Sequence, residues 1–416
     1  MQGTPAWAAA EAAARDSYGR LLAYLAYRWR DIAAAEDALA DAFAAALKTW
    51  PRDGVPSSPG AWLMTAAKRN LLHAARHQRL AEDPAVTVLL GEQPVPAADV
   101  SAIPDERLKL MFVCAHPAIA PDVRTALMLQ TVLGLEARQI AAAFLLKPAA
   151  LAQRLVRAKA KIRDAGLRFE APEAAELPQR VDAVLEAIYA AYGLGWDGVS
   201  ESGARDLAGE ALYLAQLAHG LLPGGTPGGA EAAGLFALLL FCESRQGARS
   251  GPAGEFVPLH EQDTARWDRR MIQAANQMLW RAAALKSPGR FQLEAAIQSA
   301  HCQRAITGAV PWEGIALLYG QLAALAPTIG ALVGQAVATG EAHSPAAGLA
   351  LLGRITDTAT AGYQPYWVAR AYLLARQGEA AEARGCYLRA LGLTELPALR
   401  AYLLRQADQL ANDGGR

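Results

Sequence analysis

The chain has 416 residues, of which 53% are hydrophobic and 19% charged, and its formal net charge is zero. This length suggests two to four domains, and the composition excludes a disordered or polar-tail protein. A net charge of zero argues against nucleic-acid binding, but the charge is distributed unequally along the chain. Residues 1–170 carry 21 basic and 17 acidic side chains, a net charge of +4, whereas residues 171–416 carry 19 and 23, a net charge of −4. The two parts are therefore expected to meet different partners.

Nearly the whole chain is predicted to be α-helical, because apolar residues recur at intervals of three and four and strand signals are almost absent. The four cysteines form no CxxC pair, which indicates free thiols in a reducing cytoplasm. The first residues lack the pattern of a signal peptide. The uncharged stretch between Glu313 and Glu341 is long enough to span a bilayer, but Pro327 interrupts it. We therefore expect two buried helices there and no membrane partner.

The first helical block, from about Pro5 to His77, begins with an acidic segment. In AAEDALADAFAAALKTW, carboxylates lie on an otherwise apolar helix, and Asp37 and Asp41 share one face because they are four residues apart. That face is either a contact for a basic partner or a solvated acidic edge. The candidate protein-contacting residues of this segment are Glu36, Asp37, Asp41, Phe43 and Trp50.

A basic helix follows the turn-rich segment 51–60. In WLMTAAKRNLLHAARHQR, Arg69, His73 and Arg76 fall at helical spacing on one face. Trp62 comes directly after the loop, where it could support an extruded base or simply belong to the core. The basic face could equally be solvated surface. The candidate nucleic-acid contacts are Trp62, Lys68, Arg69, Asn70, His73 and Arg76.

Residues 82–104 lose helical periodicity, contain four prolines and are predicted to be a linker. Beyond them, a short helix from about Glu136 to Phe144, a three-residue turn and a helix opened by Pro148 have helix-turn-helix spacing. Residues 136–168 carry eight basic and two acidic side chains, a local charge of +6. The pattern suits a major-groove helix, although a basic amphipathic helix on a solvated surface would look similar. The candidate DNA contacts are Lys147, Gln153, Arg154, Arg157 and Lys161.

The last region contains a hint of a repeat. In WVARAYLLARQGEAAEARGCYLRAL, small residues and aromatic residues fall at tetratricopeptide-like spacing, which predicts two closely crossing helices. Unrelated amphipathic hairpins are the alternative. Both interpretations predict an α-helical stack.

No segment predicts catalysis or metal binding. Cys114 with His116, and His301 with Cys302, each pair two metal-ligating residue types, but neither pair has a second pair at close spacing. Asp263 in HEQDT is interpreted as a helix cap. Phosphate loops, nucleophile elbows and carboxylate pairs do not stand out. We therefore predict no catalytic residues, no metal, no cofactor and no enzymatic activity.

Together these segments resemble the bacterial extracytoplasmic-function RNA polymerase sigma factors. AEDALADAF resembles the polymerase-clamp helix of that family, WLMTAAKRN its −10 helix, and LEARQIAAAFLLKPAALAQRLVRAKAKIR its −35 reader. PDERLKLMFVCAHPAIAP, KIRDAGLRFEAP and HEQDTARWDRR resemble the subgroup with a long, tetratricopeptide-like C-terminal extension.

The resemblance implies an all-α protein made of two small helical domains, the second with the helix-turn-helix, followed by a helical stack. Residues 1–81 would be sigma region 2, residues 82–104 a linker, residues 105–170 sigma region 4 and residues 171–416 the regulatory extension. The implied partners are promoter DNA and the clamp coiled coil and flap of core polymerase. A regulatory protein or an intramolecular contact would act at the extension.

The chain departs from the family pattern at three places. Ala40 replaces a common Gln, His73 replaces the usual Asp, and Ala149 and Ala150 leave the start of the recognition helix without polar side chains. Promoter specificity would then depend on residues further along that helix. The alternatives are a helix-turn-helix regulator with a helical sensor domain, which would have no use for the acidic clamp helix, and a helical scaffold that binds acidic proteins.

Overall fold

The computed structural model describes residues 5–80, 105–144, 146–167, 169, 172, 175–196 and 207–413. These residues form helices joined by turns, and they contain no strand beyond an isolated antiparallel bridge between Ser250 and Phe256. The all-α prediction is confirmed. The chain divides into two compact units, Met1–Leu217 and Ala218–Arg416. The predicted linker, residues 82–104, lies outside the described residues.

Three long helices open the first unit. They are α1 (Pro5–Trp29), α2 (Ile32–Asp53) and α3 (Pro59–Leu80), and they pack against one another. The sequence did not predict the break between α1 and α2. Arg30 adopts a left-handed conformation there, with φ of 57°, and the Asp31 carboxylate caps α2 by accepting a hydrogen bond from Ala34 N at 3.1 Å.

The predicted loop at 51–60 is shorter than expected. Helix α2 continues through Pro51 to Asp53, and α3 already begins at Pro59. Pro51 lies in the last turn of α2, where its missing N–H removes only one helical hydrogen bond. Gly54 then ends the helix with φ of 86° and donates its N–H to Trp50 O at 3.1 Å.

Shorter helices complete the first unit. They are α4 (Arg107–Cys114), α5 (Pro121–Thr131), α6 (Ala137–Ala143), α7 (Pro148–Asp164) and α8 (Leu177–Trp196), followed by α9 (Leu207–Leu221), which runs into the second unit. Helices α4 and α5 pack on α1, α7 packs on α2, and α8 packs on α5 and α4. Arg107 of α4 binds Glu210 of α9 at 2.5 Å. The first compact unit therefore extends beyond the expected domain boundary at residue 170.

Gly19 allows α1 to approach the end of α5 very closely. A β-carbon at this position would lie 1.9 Å from the Val132 carbonyl oxygen, well inside van der Waals contact. Nearby, Lys109 of α4 lies over the Tyr27 ring of α1, 5.0 Å from its centroid. The first three helices and the next group therefore form one tightly packed body.

The second unit is a succession of helices packed mostly on their chain neighbours. They are α10 (Pro227–Glu243), α11 (Arg269–Ala283), α12 (Arg290–Cys302), α13 (Arg304–Thr307), α14 (Trp312–Leu325), α15 (Ile329–Ala342), α16 (Pro345–Leu352), α17 (Asp357–Thr360), α18 (Gln364–Gln377), α19 (Ala380–Leu391) and α20 (Pro397–Asp413).

The uncharged stretch forms two helices, α14 and α15, as predicted. Within the described ranges, none of the helices is both long and apolar enough to cross a membrane. The two helices are less buried than expected: Ile315 and Leu322 are buried, but Leu317 on the opposite face of α14 is 71% exposed. Ile315 and Leu322 form a buried cluster with residues of α12 and α15, so this face of α14 is the one that packs.

The predicted repeat-like hairpin is confirmed in α18 and α19. Ala371, Ala383 and Ala390 are fully buried where the two helices cross, and Tyr387 fills the space beside them. Gly378 makes the turn with φ of 90°, a conformation that favours glycine. Small residues at the crossing let the two backbones approach, which is how stacked helical hairpins pack.

Candidate nucleic-acid interface

Helices α6 and α7 form the helix-turn-helix that the sequence predicts. A reciprocal cap fixes the start of α6: the Glu136 side chain accepts from the backbone of Gln139, and Glu136 N donates to Gln139 Oε1 at 2.9 Å. Pro148 occupies the first turn of α7, where it sacrifices no hydrogen bond. The apolar stripe of α7 is at most 6% exposed and consists of Leu151, Leu155, Ala158 and Ile162.

The opposite faces of α7 present the predicted DNA contacts to solvent. Lys147, Gln153, Arg157 and Lys161 are exposed. Arg154 is half-buried and forms an ion pair with Asp122 at the start of α5. The helix therefore packs through one stripe and offers amide and cationic donors on the others.

Helix α3 carries the second predicted contact surface. Arg69, His73 and Arg76 are exposed on one face of it. Lys68 is half-buried over the Tyr24 ring, and burial together with the charge of Arg28 lowers the pKa of its ammonium group. An exposed cationic face thus lies beside a partly desolvated lysine.

Asn70 has a structural contact that the sequence did not reveal. Its side-chain amide donates to the Ala38 carbonyl of α2 at 3.1 Å, so it ties α3 to α2. The two tryptophans at the α2–α3 turn also pack together, with ring centroids 5.6 Å apart in an edge-to-face arrangement. Trp50 is 3% exposed and supports Trp62, which remains half-exposed.

The acidic face of α2 is split between solvent and the protein interior. Asp37 and Asp41 are exposed, and Phe43 is half-buried beside them. Glu36 points instead towards α7, where Lys159 Nζ lies 2.7 and 2.6 Å from its two carboxylate oxygens. Burial raises the pKa of Glu36 despite the attraction of Lys159.

Lys159 is the residue of this interface that sequence reasoning missed. It is 9% exposed, whereas the other basic side chains of α7 reach solvent or the edge of the unit. The signal was present, because residue 159 follows Leu155 by four positions and so lies at the margin of the apolar stripe. A lysine at such a position needs an acidic partner.

The thiols and histidines that resembled partial metal sites have other contacts. Cys114 is fully buried 3.7 Å from the Thr131 hydroxyl, and burial raises the pKa of its thiol to about 12. His301 stacks edge-on against Trp312, and burial lowers its pKa to about 4. Asp263 caps a short turn by accepting from Ala265 N at 2.9 Å, as predicted. Across the described ranges, the structure brings no three metal-ligating side chains together.

Parts of the chain are similar to known protein families. Residues 15–80, which span α1 to α3, match Sigma-70 region 2. The chain is 33% identical over 144 residues to the probable RNA polymerase sigma factor RfaY of Xanthomonas campestris, a match that covers 32% of this chain and 34% of that protein. Residues 180–283 match a family of unknown function, DUF6596. No solved structure matches the chain significantly.

A second relative covers nearly the full length. The uncharacterized protein R00370 of Rhizobium meliloti is 35% identical over 401 residues, which are 94% of this chain and 93% of that protein. The acidic and basic helices within the region 2 match, together with the helix-turn-helix, define the class of RNA polymerase sigma factors, which bind core polymerase and promoter DNA. The chain is therefore an RNA polymerase sigma factor, and its long helical C-terminal region, which includes the DUF6596 match, fits the subgroup with a C-terminal extension.

Proposed function

We propose that this sigma factor acts in the cytoplasm through three separate surfaces of its first unit. Asp37 and Asp41 on α2 contact the clamp coiled coil of core polymerase, α3 captures the −10 element, and α7 reads the −35 element in the major groove. The helix-turn-helix group, near residues 105–170, also contacts the polymerase flap. In this proposal the protein recruits polymerase and performs no chemical step.

The arrangement of α7 carries the proposal for the −35 element. Its apolar stripe is buried, so Gln153, Arg157 and Lys161 are held on a helix whose orientation is fixed by the core. Arginine and lysine donate to phosphates and to guanine edges, and glutamine pairs with adenine. Ala149 and Ala150 leave the first turn without polar groups, so the middle of the helix chooses the bases.

The α2–α3 corner supports the proposal for the −10 element. Trp62 is held in place by the buried Trp50 behind it, so its indole is a rigid surface on which an unpaired base can stack. Arg69, His73 and Arg76 provide the exposed donors on the same helix for phosphates and base edges. Asn70 contributes by anchoring α3 on α2.

Binding both promoter elements requires the first unit to open. The −10 and −35 elements lie roughly 25 base pairs apart, or about 85 Å at 3.4 Å per base pair. Helix α7 packs directly on α2 in this structure, and Glu36 and Lys159 join them. We therefore propose that the helix-turn-helix separates from α1 and α2 on the polymerase, with residues 82–104 as the connecting linker.

The helical extension is proposed to regulate this opening. Arg107 of α4 binds Asp105 at 2.8 Å and Glu210 of α9 at 2.5 Å, and it stacks on Tyr213 of the same helix. Helix α8 packs on α5, the helix that supports the helix-turn-helix. A regulatory protein that displaced α8 or α9 would therefore change the packing of α4 and α5.

Run-off transcription with purified core polymerase tests the proposal. Upstream regions of candidate target genes serve as templates, and core polymerase alone is the control. We expect promoter-specific transcripts only with the protein present. Sequence-specific DNA binding without any transcript, on every candidate template, would instead support a helix-turn-helix regulator.

The regulatory role of the extension has its own test. A truncation after Leu222 keeps the whole first compact unit, including α8 and α9. We expect the truncated protein to direct initiation at the same promoters, but with a changed transcript yield or a changed affinity for core polymerase. Identical behaviour of the truncated and full-length proteins in transcription and in core-binding titrations would show that the helices beyond α9 have no regulatory role and would restrict the proposal to α8 and α9.

A further inference from the structure

We propose that α11 in the second unit is a further DNA-binding surface, which holds duplex promoter DNA when polymerase is bound. The proposal rests on the proposed function, because that function brings promoter DNA to the protein. It assigns to the extension a contact that is separate from the helix-turn-helix.

The exposed side chains of α11 form one continuous stripe. At 100° per residue, Arg270, Gln273, Gln277, Trp280 and Arg281 fall within about a third of the circumference, and all five are exposed. The opposite face contains the buried Ala275 and Ala282, which pack in the unit. The stripe is therefore the solvent-exposed face of a helix that packs through its opposite face.

The charge of this stripe is unbalanced. From residue 269 to residue 293 the chain carries five basic side chains and no acidic one. Among the described residues, no carboxylate pairs with Arg269, Arg270, Arg281 or Lys286, whereas most arginines of α4 to α8 have acidic partners. Duplex DNA is the complementary partner, because it presents a regular array of phosphates to unpaired cations.

Three acidic side chains, at the start of α11 and on its packing neighbours α10 and α12, have other partners. Asp268 caps α11 by accepting from Arg270 N at 2.8 Å and Met271 N at 3.1 Å. Glu231 of α10 accepts from the backbone N–H groups of Phe291 and Gln292, and Glu294 of α12 pairs with Arg290 at 2.8 Å. None of these contacts neutralises the cations of the stripe.

The residue types and their spacing favour duplex DNA over a simple solvated face. Arg270 and Arg281 are separated by about 16 Å along the helix axis, enough to reach phosphates on both sides of a major groove about 12 Å wide. Between them, Gln273 and Gln277 offer amide donors and acceptors for base edges. Trp280 is 81% exposed. Its indole can pack on deoxyribose or on a thymine methyl group.

Site-specific photocrosslinking in the full-length holoenzyme tests this surface. The benzophenone amino acid Bpa is introduced at Gln273, and holoenzyme is assembled on a radiolabelled promoter that supports run-off transcription. Bpa at Leu317, an exposed position on α14, which carries no basic side chain, is the matched control. We expect labelled DNA to crosslink at position 273 and not at position 317.

A salt titration of the same promoter complex gives an independent measurement. We expect R270A/R281A to reduce the slope of log K against log salt by about two, since each lost phosphate contact removes about 0.9. R384A/R405A, which removes two exposed arginines of α19 and α20, should leave the slope unchanged.

The outcomes separate this inference from the proposed function. A crosslink from position 273 to a polymerase subunit alone, or no crosslink and an unchanged slope, overturns the DNA contact while wild-type transcription still supports the sigma factor. If the wild-type protein forms no promoter complex with polymerase, both proposals fail.

Discussion

Lys159 of α7 and Glu36 of α2 form a two-pronged ion pair, with the Lys159 ammonium nitrogen 2.6 and 2.7 Å from the two carboxylate oxygens. The side chains are only 10% and 20% exposed. This pair joins the helix proposed to read the −35 element to the helix proposed to contact polymerase. The same carboxylate therefore cannot bind Lys159 and a polymerase side chain in full at the same time.

Removing either partner of this ion pair is expected to loosen the contact between α2 and α7. K159M leaves a desolvated carboxylate without its partner, at a cost of about 1–3 kcal/mol. E36Q leaves the Lys159 ammonium group, whose side chain is only 10% exposed, without its carboxylate, so its cost should be of similar size. E36Q/K159M removes both charges and should recover most of the loss. Hydrogen exchange of the α2 and α7 amides measures this, with K161M, an exposed lysine on the same helix, as control.

The pH dependence of K159M follows from the direction of the Glu36 pKa. Because burial raises this pKa in the folded protein, the folded state binds a proton more readily than the unfolded state, and protonation stabilises it as the pH falls. Loss of Lys159 raises the pKa further. The excess exchange of K159M over wild type should therefore shrink as the pH is lowered and Glu36 becomes protonated, and an excess that grew at low pH would contradict the assignment.

Substituting Gly19 tests the close packing of α1 on the end of α5. G19A places a methyl group 1.9 Å from the Val132 carbonyl oxygen, so a backbone shift is needed, at a cost of about 1–3 kcal/mol. G193A is the matched control, because Gly193 lies within α8 with no atom near its missing β-carbon. The control should be neutral or slightly stabilising. The melting temperatures of G19A and G193A are compared by thermal unfolding monitored by circular dichroism. Equal melting temperatures would show that α1 does not pack closely on the end of α5.

Arg157 should contribute to promoter choice without contributing to polymerase affinity. R157A is expected to weaken −35-dependent transcription by about 1–3 kcal/mol of binding free energy if the contact is to a base. R154A should also reduce transcription, although part of its side chain is engaged by Asp122. Core binding in a pull-down should be unchanged for both variants. R163A, near the C-terminal end of the same helix, controls for general loss of positive charge.

We expect the buried His301 to make the second unit less stable in mild acid. Burial and the nearby charges of Arg245 and Arg304 hold its pKa at about 4, below the ordinary value of 6.5. Between these values the unfolded chain accepts a proton that the folded chain refuses, so stability falls as the pH decreases, by up to about 1.4 kcal/mol per pH unit. H301Q should lose this dependence. The difference in melting temperature between wild type and H301Q at pH 7, 5.5 and 4.5 measures it.

Local patterns predicted the main elements of this protein. The turn between α6 and α7, the proline that opens α7 and the stripe that buries Leu151 all follow from signals within a few residues of each other. The small residues at the α18–α19 crossing were predicted in the same way. The continuation of α2 through Pro51 was missed because a proline in a last turn is tolerated when only one hydrogen bond is lost.

Composition, periodicity and capping residues in the sequence determined the helical class, the order of the helices and which face of α7 is apolar, because these properties depend on neighbours within one or two turns. Only the tertiary structure decided which charged and polar side chains are paired inside the protein. Glu36 and Lys159 are 123 residues apart, and Asn70 and Ala38 are 32 apart. Whether such a side chain faces solvent or a partner depends on how the helices pack. Because an unpaired buried charge is costly, packing arrangements that pair it are favoured.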